Sequence, residues 1–205
     1  MLQVMESLSK PLIYLASASP RRSALLAQIG VRHAVRPVEV DEAIGAGESP
    51  ADYVARLAAH KAQTLWSRLA GDERLPVLGA DTSVALADEI MGKPRDETDA
   101  ARMLERLSSR THQVYTAVAL CSERGCATQL SVSEVSFRAL EREEIRAYWR
   151  TGEPRDKAGA YAVQGLAALF IERISGSFSG IMGLPLFETG ELLRSIGWRF
   201  ESAAG

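Results

Sequence analysis

The stretch LIYLASASPRR, residues 12–22, decides the fold, because it joins an apolar run to a helix start within a few residues. Residues 12–16 predict a short buried strand, since a continuous apolar run suits a strand covered on both faces. Ser19 is a favourable N-cap, Pro20 suits the first helical turn, and Gly30 suits the end of the helix. The sequence therefore predicts a strand followed by a helix, with a polar turn between them.

Strands and helices continue to alternate along the rest of the chain. Both hairpin and crossover connections are predicted, which favours an α/β fold with a mixed central β-sheet flanked by helices. We expect a single domain over residues 1–205, with an ordered core of about residues 11–198. The further predicted strands are residues 31–40, 76–87 (interrupted at 81–83), 113–120, 130–137, 160–163 and 168–174. One further helix is predicted to begin at Ser49-Pro50. Three more are predicted over residues 97–107, 141–150 and 184–196.

The composition excludes several classes of protein. The 24 Lys and Arg nearly balance the 26 Asp and Glu, for a net charge of −2, so no large positive field is available for nucleic acid. No apolar run is long enough to cross a membrane, and the first ten residues lack the pattern of a signal peptide. Cys121 and Cys126 supply neither a disulfide framework nor, with His so scarce nearby, a zinc site. We expect a soluble, cytoplasmic protein.

Two arginines follow Pro20 at the predicted helix start. Cations are unfavourable there, because the first turn already carries about half a positive charge. Arg21 and Arg22 therefore indicate an anion, and a phosphate could bind the helix amides, serine hydroxyls such as that of Ser17, and both guanidinium groups. The alternative is that the arginines point into solvent or pair with carboxylates. Neither dinucleotide-binding nor Walker glycine spacing is present.

Lysine is rare, with four residues against twenty arginines, so a lysine is either retained by chance or present for a role that needs a compact ammonium group. Lys61 lies on the apolar stripe of the second predicted helix, where it either extends to solvent or reaches a phosphate. Glu42 and Lys93 lie in predicted loops, where charges are usually solvated.

Asp81 interrupts an apolar strand directly after Gly79 and Ala80. An ionised carboxylate is costly to bury without a partner, so a metal-bound phosphate or a general-base role explains Asp81, with a structural Asp as the alternative. Residues 156–165, DKAGAYAVQG, would let a flat ligand approach the backbone. The amide of Gln164 could read a base edge, although a tight turn explains this stretch equally well.

Together these segments resemble one family. Residues 17–22, 79–82, 92–94, 156–165 and 183–185 resemble the Maf (septum formation inhibitor Maf) nucleotide pyrophosphatases, over residues 12 to about 197. The resemblance implies a Maf/ITPase-like fold with two lobes around a nucleotide-binding groove, a homodimer, and a divalent cation, Mg²⁺ or Mn²⁺. It implies hydrolysis of a nucleoside triphosphate to the monophosphate and pyrophosphate. Residues 156–159 and 164–165 are similar to the branch acting on dTTP and UTP, or on modified pyrimidine nucleotides.

The resemblance also implies roles for individual residues. Asp81 matches the proposed proton acceptor. Carboxylate chemistry separately makes Glu42 and Asp81 candidates to hold the metal, and the sequence leaves open whether Asp81 is a base or a ligand. Ser109 stands where the family has glycine, which bears on the geometry of a turn and not on the chemistry. The substrate-selectivity positions match Arg21, Thr82 and Gln164, and the remaining polar groove positions match Ser17, Arg22, Glu42, Lys61, Lys93 and Lys157.

Three other functions remain open from the sequence. One is a nucleotide-binding regulator of cell division without turnover, and another is a purine-directed pyrophosphatase of the 7-methyl-GTP type. The third is a module that binds a protein or RNA partner, and the near-neutral charge counts against RNA. Neither nucleic acid nor a membrane is expected as a partner.

Overall fold

The computed structural model describes residues 11–199, and the chain forms a seven-stranded mixed sheet flanked by helices. The strands are β1 (Ile13–Leu15), β2 (His33–Val35), β3 (Val77–Leu86), β4 (Glu89–Met91), β5 (Thr111–Ser122), β6 (Gly125–Phe137) and β7 (Ile171–Ser175). The helices are α1 (Pro20–Gln28), α2 (Pro50–Trp66), α3 (Glu97–Leu107), α4 (Arg142–Arg150), α5 (Phe178–Met182) and α6 (Leu186–Ser195). Short 3₁₀ helices cover Gly71–Glu73, Glu153–Asp156, Ala158–Ala160 and Leu166–Phe170. The predicted fold class is confirmed.

The strand order is β2-β1-β3-β5-β6-β7, with β4 paired to β3. The pairs of β1 with β2 and with β3 are parallel, and all the other pairs are antiparallel. Parallel neighbours need crossover connections, which α1 and α2 supply. On one edge of β3, β1 ends opposite Leu78, and β4 ends with Met91 opposite Val84. This edge of the sheet is therefore open along residues 79–83.

Two of the three buried clusters cover opposite faces of the sheet. Side chains alternate along a strand, so Ile13 and Leu15 of β1 face one layer while Tyr14 and Ala16 face the other. The first layer comes from α1 and α6, and the second from α2. The helix residues that fill these layers are Leu25, Leu26, Leu192 and Leu193 on one side, and Val54, Ala58, Ala62 and Leu65 on the other.

The third cluster is built by α3 and α4 against the far half of the sheet, around Phe137 and Tyr161. Strand β3 joins both regions, since Leu78 packs in the α1/α6 layer while Val84 packs in the third cluster. The polar residues 81–83 lie at the junction between the two regions. This division agrees with the expected two lobes around a groove.

Several predicted strands differ from the structure for local reasons. Residues 160–163 are not a strand, because Gly159 and Ala160 have φ of +66° and +59° and cannot continue an extended segment. The strand predicted over residues 31–40 is only three residues long, and Pro37 lacks the N–H that a further ladder bond would need. The polar residues 81–83 that interrupt the apolar run do not break the strand, because β5 pairs with β3 throughout this segment.

Cys121 and Cys126 lie opposite each other on the β5–β6 hairpin and form a disulfide. This local bridge was not predicted. It is not a framework, because it closes only the turn of one hairpin. Of the predicted single domain, residues 1–10 and 200–205 lie outside the described residues. Within the described part of the chain, no helix has both the length and the apolar character needed to cross a membrane.

Candidate active site

A groove of about 760 Å³ opens beside the uncovered edge of β3. Its walls come from the loop after β1, the start of α1, the loop before α2, the loop after β4 and residues 156–164. The structure brings together every site residue predicted from the sequence. These are Ser17, Arg21, Arg22, Glu42, Lys61, Asp81, Thr82, Lys93, Lys157 and Gln164.

The side chain of Lys61 joins two carboxylates in this groove. Its Nζ donates to Asp81 Oδ1 at 2.7 Å and lies 2.6 Å from Glu42 Oε1. Lys61 and Asp81 are buried, whereas the Glu42 side chain is half exposed. Burial acts to raise the pKa of Glu42, but the hydrogen bond and charge of Lys61, together with the charge of Lys93, lower it overall. The alternative that Lys61 extends into solvent is wrong.

Gly79 allows α2 to lie close enough to β3 for this contact. A Cβ at Gly79 would lie 2.3 Å from the carbonyl oxygen of Ala58 and 2.7 Å from the amide nitrogen of Ala62, both in α2. Such distances are far shorter than atomic contacts allow, so only glycine fits. Lys61 directly precedes Ala62, and Asp81 is two residues after Gly79 on the same face of the strand. The close helix–strand approach therefore brings the ammonium group to the carboxylate.

Arg22 is held on the other side of β3 by three hydrogen bonds. Its Nε donates to the carbonyl of Gly183 at 2.8 Å, its Nη1 to Ser17 Oγ at 3.0 Å, and its Nη2 to Thr82 Oγ1 at 3.4 Å. Burial lowers the pKa of Arg22, and the charge of nearby Asp81 opposes that effect. The guanidinium group is therefore fixed in position before any ligand binds.

Arg21 is less constrained than Arg22. Its Nε donates to the carbonyl of Met182 at 3.4 Å, and its Nη1 lies 4.0 Å from Asp156. Ser19 occupies the predicted N-cap position of α1, but its side chain forms no capping hydrogen bond. Its backbone N–H instead donates to Ser17 Oγ at 3.2 Å. The helix start therefore keeps amide groups that a ligand could use.

The opposite wall is formed by residues 156–164 and the loop after β4. The amide of Gly159 donates to the carbonyl of Gly92 at 3.1 Å, which ties the two segments together. Lys157 pairs with Asp156, and Gln164 is exposed in a turn. Gln164 therefore lies in a tight turn, as one of its two interpretations predicted, and it also lines the groove, as the other requires.

One buried hydroxyl was missed from the sequence. Thr116 of β5 lies opposite Thr82 in the sheet, and their hydroxyl oxygens are 3.0 Å apart. Thr116 Oγ1 also donates to the carbonyl of Gly180 at 2.8 Å. Its only signal in the sequence is a polar residue within the apolar run of residues 114–121, which does not identify its partners.

The side chains of the groove supply too few oxygens to bind a divalent cation alone, but they could bind one together with the phosphate oxygens of a nucleotide. Among residues 11–199 no cluster of three or more His, Cys, Asp or Glu side chains could hold a metal ion. Glu42 and Asp81 nevertheless converge on one ammonium group, so their oxygens lie close together. One or two carboxylates completed by phosphate oxygens is the usual environment of protein-bound Mg²⁺.

The fold and this groove define a class of α/β protein that binds a polyphosphate, because five cations and four carboxylates line the groove at an open sheet edge, and two of the carboxylates share the Lys61 ammonium group. The chain matches the family described as Maf-like protein over residues 12–196. It therefore belongs to the Maf family, as predicted.

Curated relatives cover most of the chain. A relative from Alkalilimnicola ehrlichii is 54% identical over 90% of this chain and 92% of its own length. One from Methylobacillus flagellatus is 52% identical over 90% and 92%, and one from Saccharophagus degradans is 53% identical over 88% and 87%. Each of the three is named dTTP/UTP pyrophosphatase.

Proposed function

We propose that this chain is a nucleoside triphosphate pyrophosphatase that hydrolyses dTTP and UTP to the monophosphate and pyrophosphate. The observation that carries the proposal is the meeting of Lys61 with Asp81 and Glu42 in a groove that also contains Arg22. The predicted class of enzyme, a hydrolase acting on acid anhydrides, agrees with the names of relatives about 50% identical to it.

The cations of the groove account for binding of the triphosphate. Arg21 and Arg22 lie at the start of α1, and Lys93 lies on the wall opposite them. Guanidinium groups form paired hydrogen bonds to phosphate, and a lysine contributes a point charge. Since Arg22 is already held by Ser17, Thr82 and the Gly183 carbonyl, little conformational freedom is lost when phosphate binds.

Asp81 is the residue we assign to the proton of the attacking water. Lys61 donates to Oδ1 of this carboxylate, so Oδ2 is the oxygen that would accept the proton. The water oxygen forms a bond to the α-phosphorus, and the bond from the α-phosphorus to the bridging oxygen breaks, releasing pyrophosphate. Positioning and charge stabilisation contribute more than the base, whose share is about 10²–10⁴-fold.

We propose that Glu42 and Asp81 hold the divalent cation, Mg²⁺ or Mn²⁺, together with phosphate oxygens. When bound, the cation would neutralise part of the phosphate charge and so make the phosphorus easier to attack. The Lys61 ammonium group contacts both carboxylates with two of its three N–H groups, and the third is the one that would bind a phosphate oxygen.

Gln164 is our candidate for reading the base, with Arg21 and Thr82 as the other selectivity positions. The amide of Gln164 offers both donor and acceptor groups, which match the edge of thymine and uracil. Lys157 and Asp156 lie on the same wall and would border the sugar and phosphates.

A panel of nucleotides with product identification tests the proposal. Purified protein with Mg²⁺ or Mn²⁺ is given dTTP, UTP, CTP, GTP and 7-methyl-GTP, and products are separated by chromatography. We expect monophosphate and pyrophosphate in equal amounts, fastest from dTTP and UTP. Fastest turnover of 7-methyl-GTP would instead identify a purine-directed enzyme, and binding without products would identify a regulator.

Two further proposals concern assembly and location. We propose that the chain forms a homodimer, as the family resemblance implies, and sedimentation equilibrium would give a mass of about twice 22.2 kDa. We also propose that it acts in the cytoplasm, where its substrates are made. There the disulfide between Cys121 and Cys126 would be opened by reduction, because the cytosol keeps thiols reduced, and a thiol titration on protein from freshly lysed cells would detect both thiols.

A further inference from the structure

The carboxylate of Glu153 lies behind the turn that carries Gln164. Glu153 Oε2 accepts a hydrogen bond from the amide of Leu166 at 3.0 Å, and Oε1 lies 3.4 Å from the amide of Ala167 as a second acceptor. Glu153 is not among the residues that line the groove. Any effect it has on the nucleotide must therefore pass through the backbone of the turn.

Gly165 shows how closely the turn follows this carboxylate. A Cβ at Gly165 would lie 2.3 Å from both carboxylate oxygens of Glu153. No side chain fits there unless the carboxylate or the turn moves. Gly165, the residue next to Gln164, is therefore in direct contact with the Glu153 carboxylate.

Tyr148 attaches the other end of the same turn. Its hydroxyl donates to Glu153 Oε1 at 2.7 Å and accepts from the amide of Ala162 at 3.1 Å. Tyr148 is buried in the third cluster, where its ring packs edge-on against Phe170 with centroids 5.2 Å apart. Burial and the hydrogen bond to Glu153 raise the pKa of Tyr148, so the hydroxyl remains a donor.

We propose that Glu153 is a positioning residue for nucleobase selection, acting with Tyr148 to fix residues 162–167 so that Gln164 meets the base. The two side chains bind the turn on both sides of Gln164, at Ala162 and at Leu166. This inference rests on the proposed function, since it assigns Gln164 to the base. It adds Glu153 to the residues that determine base selectivity, although Glu153 does not contact the base.

The predicted effect of Glu153 differs from that of a residue that only stabilises the fold. Loosening the turn weakens contacts to the base, which lies away from the α-phosphate where the bond breaks. Interactions made equally in the ground and transition states change KM and leave kcat in place. A general loss of stability would instead lower the active fraction for all nucleotides alike.

The test compares steady-state kinetics of wild type, Glu153→Gln and Tyr148→Phe with dTTP, UTP and GTP. Glutamine keeps the size of the side chain but offers one acceptor oxygen for three donors, so KM for dTTP should rise about tenfold with kcat within about threefold. The preference for dTTP over GTP should fall by a similar factor. Tyr148→Phe frees the Ala162 amide and removes one donor to Glu153, but the amides of Leu166 and Ala167 still bind the carboxylate, so it should give a smaller change in the same direction.

Two controls support this test. Glu143→Gln removes an exposed carboxylate from the first turn of α4 and should leave both constants unchanged. Gly165→Ala places a methyl group against the Glu153 carboxylate and separates that carboxylate from the turn, so it should reproduce the rise in KM. If Glu153→Gln does not fold by circular dichroism, Tyr148→Phe and Gly165→Ala decide the question.

The outcomes separate the inference from the proposed function. Failure of the wild type to release pyrophosphate from any nucleotide overturns the proposed function. Normal wild-type turnover with unchanged KM and selectivity in the folded variants overturns the role of Glu153 alone. An equal loss of kcat for all nucleotides would also contradict it, because that result assigns Glu153 to the fold.

Discussion

The ammonium group of Lys61 and the carboxylate of Asp81 are 2.7 Å apart, although one lies on α2 and the other on β3. Both side chains are buried. Burying a charge costs free energy unless an opposite charge accompanies it. Lys61 and Asp81 therefore each reduce the free-energy cost of burying the other. The pair brings a strand carboxylate and a helix cation to one point of the groove.

Replacing Lys61 by methionine should lower kcat/KM for dTTP by about 100-fold, since it removes a phosphate cation and leaves Asp81 buried without its partner. Because the two residues act as a unit, the double variant Lys61→Met/Asp81→Asn should be little worse than Asp81→Asn alone. Steady-state kinetics of the four proteins measure this coupling. Strictly additive losses would show that the residues act independently.

Replacing Gly79 by alanine should destabilise the protein by about 1–3 kcal/mol, because the new Cβ would overlap Ala58 and Ala62 of α2. Separation of the helix from β3 should also draw Lys61 away from Asp81 and reduce turnover. Urea unfolding and initial rates check both effects.

Gly190→Ala is the matched control. Gly190 lies in α6, and a Cβ there would meet nothing within 4 Å. Alanine should therefore stabilise the helix by about 0.5–1 kcal/mol and leave activity unchanged. Equal stability of Gly79→Ala and wild type would contradict the close approach of α2 to β3.

The glycine-rich segments and the strand–helix start were predictable because they depend on neighbours in the chain. The strand before Ser17, the helix after Pro20 and the cap at Ser49 follow from local preferences, and Ser49 Oγ does accept from the Asp52 amide. The residues gathered in the groove were predictable mainly from the family resemblance. Lys61 and Asp81 are 20 residues apart in the chain, and no local sequence pattern predicts that their side chains are in contact.

What could not be predicted depends on packing between distant elements. The open edge of β3 exists because β1 pairs with β3 only as far as Leu78 and β4 only from Val84 onward, and no sequence pattern predicts these limits. In the sequence Glu153 has no feature that distinguishes it from a solvated acid in a loop. Its hydrogen bonds with Tyr148 and Leu166 are visible only in the structure. Residues 160–163 resemble a strand in composition, but Gly159 and Ala160 turn the chain.

Stability should fall between pH 7 and pH 5 because of His112. This side chain is buried in the third cluster and bonded to the Tyr161 hydroxyl at 2.9 Å, and burial lowers its pKa from 6.5 to about 4. Between these pH values the unfolded chain binds a proton that the folded chain does not, so stability decreases as pH falls. The expected loss is about 2 kcal/mol from pH 7 to pH 5.

Urea unfolding at both pH values measures this loss, with the double variant His112→Phe/Tyr161→Phe as comparison, since it removes the histidine without leaving the tyrosine hydroxyl unpaired. The difference should shrink to a fraction of the wild-type value. The pKa of Glu48 and of Glu144 is lowered from 4.5 to about 2 on folding, so these carboxylates affect stability mainly below pH 5, where the unfolded chain binds their protons first. An equally large pH dependence in the double variant would remove His112 as its cause.

Ser109→Gly should stabilise the protein by about 0.5–1 kcal/mol, because Ser109 has φ of +57°, a conformation that favours glycine. Serine therefore occupies a turn conformation that glycine adopts at lower cost. Ser108→Gly is the control, since Ser108 Oγ accepts from the Leu140 amide at 2.8 Å and its loss should destabilise by about 1 kcal/mol. Thermal unfolding of both variants checks the signs.

Turnover and binding by Asp81→Asn test the central claim most directly, namely that the Asp81 carboxylate takes part in hydrolysis of a triphosphate held by the groove cations. The amide keeps the size of the side chain, so the groove should still bind dTTP within a few-fold of wild type by calorimetry, while pyrophosphate release falls by at least about 100-fold. Pyrophosphate release at the wild-type rate would contradict the account.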